Sequence, residues 1–118
     1  MMYTEFTAGE QTYKLRLATR NIVALEKAIG CNPLAIFGDG AGIPEVTTMV
    51  NILWFSLQKY HHGIQLNDAY DIFDKYLEDH SMTDFIAVIL DIYRVSGIIR
   101  DSQEEATEEE KNVVAEEI

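Results

Sequence analysis

The amino-acid sequence predicts a mainly α fold, with four main helices, a short N-terminal β-hairpin and an acidic, flexible C-terminal tail. Three observations lead to this prediction. Apolar and polar residues alternate near the N-terminus, which is the period of a strand, and from Ile22 onward the apolar residues recur at helical spacing. After residue 100 acidic residues dominate. We therefore expect one helical domain over residues 1–100 and a tail over residues 101–118.

The hairpin is predicted from two short alternating segments, residues 3–7 and residues 11–17. Alternation is strict from Tyr13 to Leu17. Between the segments lies Ala8-Gly9-Glu10, which we expect to form a three-residue loop with Gly9 available for a left-handed conformation.

The first helix is predicted to follow the second strand directly and to run from Arg20 to Ile29. Either Thr19 or Asn21 is expected to cap its start, and Gly30 is expected to end it. A short helical segment over residues 33–37 should follow, with Pro33 at its first position.

The second helix is predicted from Pro44 to His61 and carries more apolar surface than one core face requires. Its expected core face is formed by Val46, Met49, Val50, Leu53, Leu57 and Tyr60. Ile52, Trp54 and Phe55 add apolar surface beyond that face. This surplus has two interpretations, a wide contact with the fourth helix or a surface for docking or self-association.

The third and fourth helices differ in how much of their surface is apolar. The third, capped by Asn67 and ending near His80, should bury a narrow face of Tyr70, Phe73, Tyr76 and Leu77. The fourth, capped by Ser81 with Asp84 three residues on, is apolar nearly all round and should be central in the core or covered by another subunit. Asp91 and Arg94 interrupt the apolar surface of this helix. We expect them to form an ion pair, either at the surface of the chain or in an interface.

Charge and composition exclude several classes of protein. The net charge is −11, and residues 101–118 hold eight acidic residues and one lysine, a net charge of −7. An acidic surface repels phosphates, so we expect no nucleic-acid partner and no membrane partner. The chain has no apolar run long enough to span a membrane and no signal peptide, and Cys31 is its single cysteine. These features favour a cytoplasmic protein.

No motif for catalysis or cofactor binding is found. The glycines at positions 38, 40 and 42 lack the lysine and hydroxyl of a phosphate loop, and the aspartates after Asn67 do not follow the spacing of a calcium loop. His61 and His62 are adjacent, whereas a zinc pair on a helix requires a spacing of four. We therefore expect a protein that is not an enzyme and holds no metal or cofactor.

The strand Tyr13–Leu17 followed by Leu25–Gly30 resembles the start of the phage tail assembly chaperones of long-tailed phages, prophages and gene transfer agents. The resemblance implies a protein in the host cytoplasm that binds the tail tape measure protein, assists assembly of the tail tube protein around it, and can form homo-oligomers. The candidate partner or self-association surface consists of Ile52, Trp54, Phe55, Asp91 and Arg94. The alternative function is a small acidic phage-borne inhibitor or regulator that binds a basic site on a host protein.

Many members of that family also have a longer form made by a −1 ribosomal frameshift. Glu110-Lys111-Asn112 can be encoded by a slippery A-AAA-AAC heptamer inside the acidic tail. We therefore hypothesise such a form here, and a Lys111 codon of AAG would exclude it.

Overall fold

A hairpin, four α-helices and one 3₁₀-helix make up the part of the chain that this computed structural model describes, residues 2–37 and 42–100. The elements are β1 (Thr4–Ala8), β2 (Gln11–Leu15), α1 (Thr19–Ile29), the 3₁₀-helix Pro33–Phe37, α2 (Val46–Leu57), α3 (Leu66–Tyr76) and α4 (Met82–Val95). The mainly α prediction with an N-terminal hairpin is confirmed. The acidic tail, the frameshift tripeptide and most of the glycine loop lie outside the described residues.

The two strands of the hairpin pair antiparallel through a two-residue turn. Ala8 lies opposite Gln11, so the three-residue loop predicted from the sequence is wrong. Gly9 has φ +66°, and a left-handed residue at this point allows the shorter turn. The second strand also ends earlier than predicted, because the next two amides bond elsewhere. The Arg16 N–H donates to Ser56 O at 2.9 Å, and the Leu17 N–H donates to Ser96 Oγ at 2.8 Å.

Helix α1 begins and ends with local hydrogen bonds. Its N-cap is Ala18 rather than Thr19 or Asn21, so that prediction is wrong, although the Asn21 Oδ1 does accept from the Ala18 N–H at 3.0 Å. The Asn21 side chain therefore caps the helix from within its first turn, by accepting a hydrogen bond from the N-cap residue. Gly30, at φ +79°, ends the helix as predicted and donates its N–H to Glu26 O at 2.8 Å.

Helix α2 lies at the centre of the core. It contacts α1, α3, α4 and β2. Its fully buried residues are Met49, Val50, Ile52, Leu53, Ser56 and Leu57. Val46, expected on the core face, is 40% exposed because it begins the helix at the edge of this packing. The helix ends at Leu57 instead of His61 and is followed by a turn.

Helix α3 begins earlier than predicted, and this changes its buried face. Its N-cap is Gln65, not Asn67, and the Asp68 carboxylate accepts the Gln65 N–H at 2.9 Å. Ala69, Phe73 and Tyr76 are buried, whereas Tyr70 is 39% exposed. The prediction that Tyr70 belongs to the core is therefore wrong.

Helix α4 begins as predicted at the Ser81 cap. The Asp84 N–H donates to Ser81 Oγ at 3.1 Å, and the Ser81 N–H donates to Asp84 Oδ2 at 2.8 Å. The hydrogen bond from the Ser81 backbone N–H, followed by one from the Ser81 side chain, holds the pKa of the Asp84 carboxyl below its usual value. Phe85, Ile89, Ile92 and Tyr93 are buried. Ile86, Val88 and Leu90, which flank this face, are only half-buried, so α2 rather than α4 is the central helix.

The hairpin packs against α3 and α4 through aromatic side chains. The ring centroid of Phe6 lies 5.0 Å from that of Tyr76 and 5.9 Å from that of Phe85, and Phe73 lies 5.0 Å from Phe85. A two-stranded hairpin is marginally stable alone, so this cluster accounts for its place in the fold.

Candidate functional site

The five residues predicted as a partner surface lie in different environments. Ile52 is fully buried, so its assignment to an exposed surface is wrong. It packs in the core because helices or strands cover α2 on several sides. The helical pattern alone did not show that the apolar surface beyond one face of α2 would also be covered within the same chain.

Trp54 and Phe55 are half-buried, and their ring centroids are 4.8 Å apart. The Trp54 indole N–H donates to Ile64 O at 2.9 Å, and the Gln58 amide donates to the same oxygen at 3.3 Å. Trp54 therefore holds the connection between α2 and α3 in place. A contact of either ring with a partner stays a prediction.

Asp91 and Arg94 form an ion pair on α4, with 2.8 Å between Arg94 Nη1 and Asp91 Oδ1. The side chains are 53% and 25% exposed, respectively, so in the single chain the pair lies at the surface. An exposed pair of this spacing contributes a few tenths of a kcal/mol, roughly 0.3–0.5. Its place in an interface stays a prediction.

Exposed apolar side chains flank residues 38–41 on both sides. Leu34 is 47% exposed on the 3₁₀-helix, Ile43 is 43% exposed, and Val46 is 40% exposed at the start of α2. We call these three residues the α1–α2 apolar segment. Val23, on α1, is exposed to the same degree as Leu34 but lies outside it. The sequence did not indicate this segment, because helical spacing placed Val46 on the core face of α2 and neither Leu34 nor Ile43 belongs to a pattern that predicts exposure.

A cleft of about 750 Å³ opens between the hairpin turn and α3. Most of the charged side chains in its lining are acidic, and these are Glu10, Asp71, Glu78 and Asp79. Lys75 also lines the cleft and packs against the turn, where a Cβ added at Gly9 would lie 2.9 Å from Lys75 Cγ. The absence of a side chain at position 9 therefore permits this approach.

On the outer face of the hairpin, lysines and tyrosines form a cluster that we call the cation–aromatic patch: Tyr3, Lys14, Lys59 and Tyr60. Lys14 Nζ lies 4.9 Å from the Tyr3 ring centroid and 5.8 Å from that of Tyr60. The two rings meet edge to face at 5.5 Å, and Lys59 Nζ lies 5.7 Å from the Tyr60 ring. Both lysines are exposed, so their charges face solvent.

His61 connects this patch to the body of the fold. The Lys14 backbone N–H donates to His61 Nε2 at 2.9 Å, and the Tyr13 ring meets the imidazole edge to face at 5.4 Å. Burial, with a smaller effect of the Lys14 charge, lowers the pKa of His61. The imidazole thus accepts a hydrogen bond in its neutral form.

These surfaces are suited to non-covalent binding. Within residues 2–37 and 42–100, no three His, Cys, Asp or Glu side chains come close enough together to hold a metal ion. In the same residues, every helix is too short or too polar to cross a membrane. Three surfaces of the described residues are candidates for binding: the α1–α2 apolar segment, the acidic cleft and the cation–aromatic patch.

Comparisons with known proteins identify a family but no activity. No curated protein and no solved structure matches the chain significantly. A family model described as a family of unknown function, DUF6096, matches residues 4–118. Because this match spans nearly the whole sequence, the chain belongs to the DUF6096 family.

Proposed function

We propose that this protein is a non-enzymatic phage or prophage tail assembly chaperone that binds the tape measure protein and assists assembly of the tail tube. The proposal rests on the resemblance of Tyr13–Leu17 and Leu25–Gly30 to that family. The structural observation that supports it is the α1–α2 apolar segment, because a chaperone for a long amphipathic helix needs apolar side chains that solvent can reach.

The exposed area of this segment is large enough to contribute measurably to the affinity of a complex. Fully burying a Val, Leu or Ile side chain contributes about 1.5–3 kcal/mol, and these three side chains are already about half-covered. Covering the rest would contribute roughly 2–4 kcal/mol in total, which corresponds to a change in affinity of about 30-fold to 1,000-fold.

The test is co-expression of the full chain with the tape measure protein encoded in the same genome. We expect the soluble fraction of the tape measure protein to rise with the wild-type chain and to fall with a Leu34→Ser, Ile43→Ser, Val46→Ser variant. Val23→Ser is the matched control, because it removes a similarly exposed apolar side chain elsewhere. Equal loss in both variants, with both still folded by circular dichroism, would contradict the role of the segment. No solubilisation by the wild-type chain would contradict the function itself.

The acidic face of α3 favours a second candidate, an inhibitor or regulator that binds a basic site on a host protein. Its aspartates, Asp68, Asp71 and Asp74, are exposed, and the acidic cleft adjoins them. Salt separates the two functions. Binding through these carboxylates should weaken steeply as the salt concentration rises, whereas binding through the apolar segment should not.

A further inference from the structure

We propose that the cation–aromatic patch is a docking site for the acidic tail of the same chain, residues 101–118. This inference is independent of the proposed function. It rests on three observations: the charge and rigidity of the patch, the charge of the tail, and the position at which α4 ends.

The patch presents positive charge in an ordered arrangement. The rings of Tyr3 and Tyr60 hold the ammonium group of Lys14, and Tyr60 also lies beside Lys59. Such cation–π contacts restrict the lysine side chains before any ligand binds. One carboxylate, Glu5, lies opposite Lys14 in the β-ladder, and with Lys59 the patch has two lysines against this one carboxylate.

The tail has the complementary charge. It contains Asp101 and seven glutamates against the single Lys111. Within the described residues, by contrast, eleven acidic side chains are distributed over the surface, several of them on α3 on the far side of the hairpin turn. A carboxylate-rich segment is the occupant in this chain that fits a pair of exposed ammonium groups.

The last residue of α4, Val95, lies near the patch. The Arg16 guanidinium donates through Nη1 to both Met2 O, at 3.0 Å, and Val95 O, at 2.6 Å. The end of α4 is therefore held next to the residue that precedes Tyr3. Eighteen residues can span about 60 Å when extended, so the tail reaches the patch without strain.

Tethering makes even weak binding effective. A short flexible connection gives an effective concentration in the millimolar range, so a millimolar intrinsic affinity suffices for substantial occupancy. The tail then covers the patch and competes with acidic segments of other proteins.

Paramagnetic broadening in the full-length protein tests this docking. A nitroxide is attached to a Cys31→Ser, Ala106→Cys variant, and amide signals are measured by NMR. At low salt we expect the amides of Lys14, Lys59 and Tyr60 to lose half their intensity or more. In about 1 M NaCl, where the Debye length falls to about 3 Å, we expect most of that intensity to return. If the broadening is the same at low and high salt, the proposal is overturned. A tail that is near the patch only because of its covalent connection would give broadening that does not depend on salt.

Charge variants supply the matched control. Lys14→Gln with Lys59→Gln should abolish the salt-dependent broadening, whereas Lys27→Gln with Lys75→Gln removes the same charge elsewhere and should leave it intact. Equal effects of the two pairs would overturn the assignment of the site. Neutralising the tail instead, with Glu104→Gln, Glu105→Gln and Glu108→Gln, leaves the folded residues untouched and should also abolish it.

A mixed sample distinguishes docking within one chain from docking between chains. Protein that carries the nitroxide but no isotope label is mixed with isotope-labelled protein that carries no nitroxide. We expect no broadening of the patch amides in this mixture at micromolar concentration. If the broadening equals that of the first sample, in which one chain carries both labels, the tail docks on a second copy, and docking within the chain is overturned.

Discussion

Replacing Tyr93 by Phe isolates one buried hydrogen bond that joins distant parts of the chain. The Tyr93 hydroxyl is fully buried and donates to Pro33 O at 2.8 Å, which links α4 to the 3₁₀-helix. Burial also raises the pKa of this hydroxyl above that of free tyrosine, so it stays protonated and able to donate. A hydrogen bond of this kind contributes about 0.5–1.5 kcal/mol, and loss of a partner for the buried carbonyl adds to that, so we expect a loss of roughly 1–2 kcal/mol in unfolding free energy.

Urea and thermal unfolding measure the effect. For a domain of this size each kcal/mol lowers Tm by about 4–8 °C. Tyr70→Phe is the control, because its ring is 39% exposed and surface changes usually stay within about 0.5 kcal/mol. Equal stability of Tyr93→Phe and wild type, or equal loss in the two variants, would refute the reasoning that the buried bond stabilises the fold.

Three other substitutions test local features. Because the pKa of His61 is lowered in the folded state, its contribution to stability is present above the unfolded value of about 6.5 and is lost as pH falls below it. His61→Gln should therefore flatten the fall in unfolding free energy below pH 6.5, and His62→Gln should not. Gly9→Ala should cost about 1–2 kcal/mol at φ +66°, whereas Gly63→Ala, with open space around its Cβ, should be close to neutral in denaturant unfolding. Ser81→Ala should cost about 1 kcal/mol through loss of the N-cap bond, and an unchanged unfolding midpoint would contradict that role.

Local signals in the sequence predicted the ends of two helices well. Gly30 ends α1, and Ser81 with Asp84 begins α4, because each signal acts within four residues of the site it marks. The start of α3 was predicted wrongly because two local capping signals compete there. Asn67 is a good cap, but the Asp68 carboxylate accepts the Gln65 N–H and moves the start two residues earlier.

The candidate surfaces were harder to predict than the helices. Ile52 was assigned to a partner surface because α2 carries more apolar residues than one face needs, and the structure covers that surplus with other elements of the same chain. The cation–aromatic patch was not predicted at all. Lys14 and Tyr60 are 46 positions apart, and no local pattern links a strand residue to the turn after a distant helix.

By itself, the sequence determined the mainly α class, the succession of a strand and a helix near the N-terminus, the end of α1, the start of α4 and the acidic character of the tail. These properties depend on periodicity, capping and charge, which act over a few neighbouring residues. Only the tertiary structure decided that α2 is the central helix, that Trp54 holds the α2–α3 connection, and that lysines and tyrosines from two elements share one face. Burial and long-range contacts depend on how all the elements pack together, and a one-dimensional pattern does not specify that packing.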